Sequence, residues 1–137
     1  MPRKPRPHYQ IPTPPIPAPK EDVEQTALFR WAAYQSGAYP VLRKMYHIPN
    51  GGKRGKAEAA RFKAQGVKAG MPDIHLPAAR GGFHSLYIEL KRLEGGSVSQ
   101  HQKDRIADLR EEGNRVEVCK GWEEAAQVIM DYLQMED

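Results

Sequence analysis

The chain has 137 residues, the usual size of one domain, so it is long enough to bury a hydrophobic core. Its formal net charge of +4 suits a polyanionic partner without identifying one. The single cysteine, Cys119, excludes an internal disulfide and a cluster of zinc-binding thiolates. No apolar run approaches the roughly 20 residues of a membrane-spanning helix, and no signal peptide is evident, so we expect a cytoplasmic protein.

The first nineteen residues differ from the rest of the chain because they contain eight of the twelve prolines. Proline fixes one backbone dihedral angle and lacks the backbone N–H, so it disfavours helices and sheet interiors. We therefore predict an extended or disordered basic arm at 1–19 and a single folded domain over 20–137. Arg3, Lys4 and Arg6 in the arm fit either a solvated tail or contacts with phosphate groups.

Hydrophobic spacing along the rest of the chain predicts four helices and four strands. Helices are predicted over 20–36, about 54–65, 99–112 and 122–133. Strands are predicted over 41–48, 73–76, 86–92 and around 116–118. The second and third strands are close enough in sequence to form an antiparallel pair, and the third helix can cross over to the fourth strand. We therefore predict an α/β fold in which helices flank a mixed central sheet of about four strands.

The third predicted strand places two charged residues together. Because side chains alternate along a strand, Glu89 and Lys91 share one face while Leu90 lies on the other. Asp73, which follows Pro72, opens the neighbouring strand. Two carboxylates can chelate Mg²⁺ or Mn²⁺, and such a cation can activate water for attack on a phosphodiester. A surface ion pair between Glu89 and Lys91 is the alternative that this tripeptide alone leaves open.

Five short segments together resemble a known nuclease family. The segments 70–73 (GMPD) and 88–91 (IELK) resemble the PD-(D/E)xK nuclease signature. The segments 50–54 (NGGKR), 66–70 (GVKAG) and 99–103 (SQHQK) resemble the standalone form of the virus-type replication-repair nuclease (VRR-NUC) family. The resemblance implies a restriction-endonuclease-like core, in a protein of bacterial or phage origin.

The resemblance also implies a metal-dependent endodeoxyribonuclease with specific site residues. Asp73, Glu89 and Glu24 of the first helix would ligate Mg²⁺ or Mn²⁺, and Lys91 would be the catalytic lysine. Gln102 would orient the lysine or a metal-bound water. Standalone members imply a homodimer that cuts branched DNA such as Holliday junctions. A DNA-binding module without catalysis, a flap nuclease and a sequence-selective nuclease are the alternatives.

Two of these residues have competing structural explanations. Gln102 also completes a capping box that starts at Ser99, and we expect that one rotamer cannot fully serve both the helix cap and the site. Glu24 competes with Glu21 and Asp22 for the role of site acid. The latter two are better explained as charges that stabilise the first turn of the helix.

DNA binding is predicted at a glycine turn and at two more basic residues. The turn precedes a helix, where backbone N–H groups can hold a phosphate. The predicted contacts are Asn50, Gly51, Gly52, Lys53, Arg54, Lys68 and Arg80. Alanines at 57, 60 and 64 line the helix that follows, so another element or a second subunit can approach it closely.

Three further side chains are expected to be structural. His75 is predicted to be a strand residue with one polar contact, and Cys119 to be a buried thiol. Tyr87 is predicted to pack against its neighbours and not to form a platform for base stacking.

Overall fold

The computed structural model describes residues 21–49 and 55–136. Its helices are α1 (Glu21–Gln35), α2 (Lys56–Ala64), α3 (Gln100–Glu111) and α4 (Gly121–Leu133). Its strands are β1 (Tyr46–His47), β2 (Ile74–Leu76), β3 (Leu86–Lys91) and β4 (Arg115–Lys120). A short 3₁₀ helix, Pro40–Lys44, lies between α1 and β1. Within the described ranges, no helix has both the length and the apolar character needed to cross a membrane.

The four strands form one mixed sheet in the order β1-β2-β3-β4. β1 pairs antiparallel with β2, and β2 pairs antiparallel with β3, whereas β3 and β4 run parallel. α3 connects the two parallel strands, which need a crossover and cannot be joined by a tight turn. The predicted α/β class, the mixed four-stranded sheet and the antiparallel pair are confirmed.

The prediction of one strand over 41–48 is wrong in its first half, where the chain forms the 3₁₀ helix. Pro40 fits the first turn of a helix because that position needs no N–H donor. Leu42 and Met45 are the buried residues of this segment, and they are three positions apart. That spacing matches the period of a 3₁₀ helix, whereas a strand would alternate. The strand β1 is therefore only two residues long.

The strands β2 and β3 present two chemically different faces. The helix-covered face, which packs against α1 and α4, consists of Ile74, Leu76, Leu86, Ile88 and Leu90. The polar face, on the opposite side of the same strands, consists of His75, Tyr87, Glu89 and Lys91. Burying one aliphatic side chain stabilises a fold by about 1.5–3 kcal/mol. The helix-covered face therefore holds the backbone that positions the polar face.

Helix α2 contains no buried residue. Its alanines Ala57, Ala60 and Ala64 are exposed. Within the described ranges, 21–49 and 55–136, no other element packs closely against them. These small side chains leave a surface on α2 that no described part of the chain covers.

Candidate active site

Asp73 and Glu89 meet because of the register between β2 and β3. His75 pairs with Tyr87 in antiparallel register, so moving two residues along each strand places Asp73 opposite Glu89. Asp73 lies immediately before β2, and its Oδ2 accepts a hydrogen bond from the backbone N–H of Leu90 at 2.8 Å. This bond fixes the aspartate against β3.

The side chains of Glu89 and Lys91 meet at the buried end of β3. Glu89 is 1% exposed, Lys91 is also buried, and Lys91 Nζ lies 3.6 Å from Glu89 Oε1. The other carboxyl oxygen of Glu89, Oε2, is buried and accepts no hydrogen bond from any described residue. The pair is therefore not a solvated surface bridge. Burying a carboxyl oxygen that accepts no hydrogen bond costs folding free energy. A contact that served only to stabilise the fold would not need this cost.

The environment of Glu89 favours its protonated form. The pKa of Glu89 is raised to about 9, and the largest cause is burial, because desolvation disfavours the carboxylate. The neighbouring Asp73 contributes to this rise, because a proton on Glu89 can form a hydrogen bond to the Asp73 carboxyl group and because like charges repel, while the Lys91 ammonium lowers the pKa. The charge of Glu21, at the start of α1, adds to the rise. At neutral pH Glu89 therefore holds a proton, and a cation between the two carboxyl groups would displace it.

Gln102 serves the helix cap and the lysine with one oxygen. Gln102 Oε1 accepts a hydrogen bond from the backbone N–H of Ser99 at 2.9 Å and another from Lys91 Nζ at 3.2 Å. Ser99 Oγ accepts in return from the backbone N–H of Gln102, which completes the capping box. The expectation that one rotamer cannot serve both roles is wrong, because a carbonyl oxygen has two lone pairs.

Two glycines without an assigned role in the sequence form walls of the site. Gly70 has φ +81°, and a Cβ there would lie 2.5 Å from the carbonyl oxygen of His101. The segment before Asp73 therefore lies directly on the first turn of α3, where a side chain does not fit. A Cβ at Gly96 would lie 3.0 Å from Lys91 Cβ, so the loop after β3 packs on the stem of the lysine.

The pair of Asp73 and Glu89 fits a hard divalent cation. Carboxylate oxygens are the ligands that Mg²⁺ prefers, and Mg²⁺ retains several waters when one or two carboxylates bind it. The unpartnered Glu89 Oε2 is a buried ligand atom without a competing donor. In the part of the chain that the structure describes, no group of three or more His, Cys, Asp or Glu side chains is arranged to hold a metal. The structure thus brings together two of the three predicted ligands.

Glu24, the third predicted ligand, is buried but has its observed contact elsewhere. Its Oε2 accepts a hydrogen bond from the backbone N–H of Trp122 at 2.7 Å, in the first turn of α4. A carboxylate at a helix N-terminus is stabilised by the unpaired N–H groups and the helix dipole. The structure therefore gives Glu24 a capping role, while its role as a metal ligand stays a prediction.

Two of the predicted DNA contacts, Lys68 and Arg80, lie among the residues that the structure describes. The turn 50–54 lies outside the described residues, and Lys68 is an exposed residue after α2. Arg80 lies in the loop between β2 and β3, where its Nη1 donates to the carbonyl of Ala79 at 2.7 Å. That loop adjoins the start of β3, whereas Glu89 lies near its end, about 10 Å further along the strand. Arg80 is therefore at the opposite end of the strand pair.

A group of rings beside the carboxylates was missed by the sequence analysis. His75 Nδ1 lies 2.7 Å from Tyr46 Oη, and His75 Nε2 lies 2.9 Å from Ser85 Oγ. The imidazole also stacks on Tyr87, with ring centroids 4.2 Å apart. The prediction of one polar contact for His75 is wrong, because its neighbours come from two other strands whose register the sequence does not reveal. Burial lowers the pKa of His75, which favours the neutral ring.

Cys119 is buried as predicted. Burial, with a smaller contribution from the charges of Glu124 and Glu117, raises the pKa of its thiol to about 12. A thiol with so high a pKa is a poor nucleophile at neutral pH, so Cys119 belongs to the core and takes no part in the candidate site.

Comparison with known proteins identifies the family. The family model for the VRR-NUC domain matches residues 20–123. A solved structure named "VRR_NUC domain protein" is 35% identical to this chain and superimposes with a TM-score of 0.78, and the match covers 89% of this chain and 94% of that one. No curated protein matches the chain. Both matches extend over most of the sequence, so this chain belongs to the VRR-NUC domain family, which implies a nuclease-type function in DNA processing.

Proposed function

We propose that the protein is a metal-dependent endodeoxyribonuclease that hydrolyses phosphodiester bonds. Its proposed active site consists of Asp73, Glu89 and Lys91. The observation that carries this proposal is the buried Glu89 beside Asp73, with one carboxyl oxygen unpartnered and the Lys91 ammonium 3.6 Å from the other. A buried carboxyl group with a strongly shifted pKa, such as that of Glu89, is typical of functional sites, since it costs stability without improving the packing.

The cation and the lysine have separate tasks in this proposal. Asp73 and Glu89 would hold Mg²⁺ or Mn²⁺, which when bound neutralises charge on the phosphate and lowers the pKa of a bound water. Lys91 Nζ has three N–H donors, of which one is used by Gln102. The others are available to a phosphoryl oxygen or to the attacking water. The ammonium then stabilises the negative charge that develops on the phosphoryl group.

Gln102 acts as a positioning residue for Lys91. Its side chain is itself fixed by the Ser99 backbone, so the oxygen that receives Lys91 Nζ has a defined place. The loop containing Gly96 packs on the other side of the lysine stem. A long, flexible side chain is in this way held before substrate arrives, which lowers the entropic cost of orienting it in the reaction.

Glu24 is proposed as a further acid for the cation, in addition to its capping role. It is buried, its carboxyl group accepts a hydrogen bond from the Trp122 N–H, and α1 packs against β3, which contains Glu89. The segment 50–54, Lys68 and Arg80 are proposed to contact the DNA backbone, where positive charge and free N–H groups favour phosphate.

We also propose that the protein acts as a homodimer on branched DNA such as Holliday junctions. Two sites related by a twofold axis can make paired cuts in one substrate. The exposed alanines of α2 support this proposal, because small side chains let a second subunit approach closely.

The test is a cleavage assay on single-stranded, duplex, flap and four-way-junction DNA with Mg²⁺, Mn²⁺ or EDTA. We expect metal-dependent cutting that EDTA, Asp73→Ala or Lys91→Ala abolishes. The matched control is Lys44→Ala, an exposed lysine of the 3₁₀ helix, which should cut as the wild type does. Undiminished cutting by Lys91→Ala would remove the lysine from the mechanism. Binding of DNA without any cutting would show a binding module instead, and analytical ultracentrifugation tests the dimer.

A further inference from the structure

Three aromatic rings lie side by side across three strands of the sheet. Tyr46 of β1 pairs with His75 of β2, and His75 pairs with Tyr87 of β3, so all three side chains lie on the polar face. The Tyr46 and His75 rings meet edge to face, with centroids 5.3 Å apart, while His75 and Tyr87 are stacked. Tyr46 is nevertheless 48% exposed, so about half of the residue is open to solvent.

A chain of hydrogen bonds fixes the orientation of the exposed ring. Asn114 Nδ2 donates to the carbonyl of Leu109 at 3.1 Å, and Ser85 Oγ donates to Asn114 Oδ1 at 2.7 Å. Ser85 Oγ therefore accepts from His75 Nε2, which leaves Nδ1 as the acceptor for the hydroxyl of Tyr46. The exposed tyrosine is thus anchored through three side chains to the backbone of α3. A surface ring held in this way loses little conformational freedom when a ligand stacks on it.

The rings are close to the carboxylates. His75 is two residues from Asp73, and Tyr87 is two residues from Glu89, all on one face of neighbouring strands. Two residues of a strand span about 6.7 Å, whereas successive nucleotides of a DNA strand are about 3.4 Å apart along the duplex axis. A phosphate at the carboxylates therefore puts the first one or two neighbouring nucleotides within reach of the rings.

We propose that Tyr46, oriented by His75, is a stacking platform for an unpaired base within about two nucleotides of the cleaved phosphate. This proposal rests on the proposed nuclease function and adds to it a source of substrate selection. Aromatic side chains stack on bases that have left the duplex, because paired bases already stack on their neighbours. The platform therefore favours DNA with unpaired nucleotides at the cut and is tolerant of sequence, since every base has a π-face.

The experiment measures cleavage of a branched substrate by the full chain and compares Tyr46→Ala with Tyr34→Ala. Tyr34 is a suitable control because it is 71% exposed and lies on α1, which packs on the opposite, helix-covered face. We expect Tyr46→Ala to raise KM by roughly 5- to 150-fold with little change in kcat. Tyr46→Phe keeps the ring and removes only the hydroxyl, so its KM should lie between those of the wild type and Tyr46→Ala.

A second arm removes the base instead of the tyrosine. Once the cut has been mapped, a single abasic nucleotide is placed in turn at each position within two nucleotides on either side. At one of these positions the wild-type KM should rise as much as it does for Tyr46→Ala, and the two changes together should cost no more than one alone. Additive effects, or a Tyr46→Ala variant that behaves as Tyr34→Ala does, would overturn the stacking platform while the nuclease stands. A wild-type protein that cuts no DNA would overturn both proposals.

Discussion

Leu86, Ile88 and Leu90 lie on one side of β3, while Glu89 and Lys91 lie on the other, and all five side chains are buried. The aliphatic three stabilise the fold by leaving water and packing against α1 and α4. The ionisable groups of Glu89 and Lys91 lose hydration without a full set of hydrogen bonds in return. Burial alone therefore does not distinguish a residue of the scaffold from a residue of the site. Buried charge on a strand whose other face already forms the core is what distinguishes the site.

The largest difference between the two faces is expected in catalysis. Lys91→Met keeps most of the side-chain volume and removes the ammonium that stabilises the reacting phosphate. We expect kcat to fall by about 10²–10³-fold, the typical cost of losing one electrostatic contact to the transition state. Because Glu89 holds a proton in the metal-free fold, the substitution removes a buried charge without leaving another unpaired, so thermal stability should stay the same or rise. The measurement is steady-state cleavage together with a thermal melt, and a large fall in melting temperature would contradict the separation of the two faces.

On the helix-covered face of the same strand, the corresponding substitution is Ile88→Ala, which should affect stability and not catalysis. Ile88 is almost fully buried in the core, so the substitution leaves a cavity and should destabilise the protein by about 2–5 kcal/mol. At a temperature where the variant remains folded, its kcat should stay within a few-fold of the wild type. Urea unfolding monitored by tryptophan fluorescence gives the free energy of unfolding. A variant that is stable but inactive would show that the helix-covered face takes part in the chemistry.

In the metal-free protein, the contribution of Glu89 to the free energy of unfolding is expected to depend on pH. The pKa of Glu89 is about 9 in the fold against an ordinary value of 4.5, so between these values the folded state binds one more proton than the unfolded state. Stability from this group is therefore present at low pH and is lost as pH rises towards 9. Glu89→Gln removes the effect and should be more stable than the wild type by about 1–3 kcal/mol at alkaline pH.

Urea unfolding in EDTA across this pH range tests that dependence. Glu117→Gln is the matched control, since Glu117 is a partly exposed glutamate of β4 paired with Arg115. Its stability should follow the wild-type pH dependence. Parallel curves for the wild type and Glu89→Gln would show that Glu89 does not hold a proton in the metal-free fold.

The smallest effect on stability is expected for Glu24→Gln. This variant separates the capping role of Glu24 from its proposed role as a metal ligand. The amide oxygen can still accept the Trp122 N–H, so only the charge–dipole interaction, about 0.3–1 kcal/mol, is lost. If Glu24 also contributes to the cation site, the Mg²⁺ concentration for half-maximal cleavage should rise about tenfold. An unchanged metal requirement would restrict Glu24 to capping α4.

Local sequence signals predicted much of this molecule. The alternation in β3 placed Glu89 with Lys91, and the serine-to-glutamine spacing predicted the cap of α3, which are both short-range patterns. The segment 41–48 was misassigned because its apolar residues fit a strand by composition, while Pro40 and the three-residue spacing decided for a 3₁₀ helix.

Contacts between distant segments were beyond the sequence. The bond between Glu24 and Trp122 joins residues 98 positions apart. The ring group of Tyr46, His75 and Tyr87 depends on the register of three strands. A shift of one residue in either pairing would place these rings on opposite faces of the sheet, and no local pattern fixes that register.

The first turn of α3 acts as a common reference point for both sides of the candidate site. Gln102 of this turn receives the Lys91 ammonium, and Gly70 rests on the backbone of His101 in the same turn, three residues before Asp73. The distance between Asp73 and Lys91 is therefore set by contacts with the same helix turn, and the two side chains do not adjust independently. Unwinding of that single turn would release Lys91 and loosen Asp73 together, so the site is either assembled as a unit or lost as one.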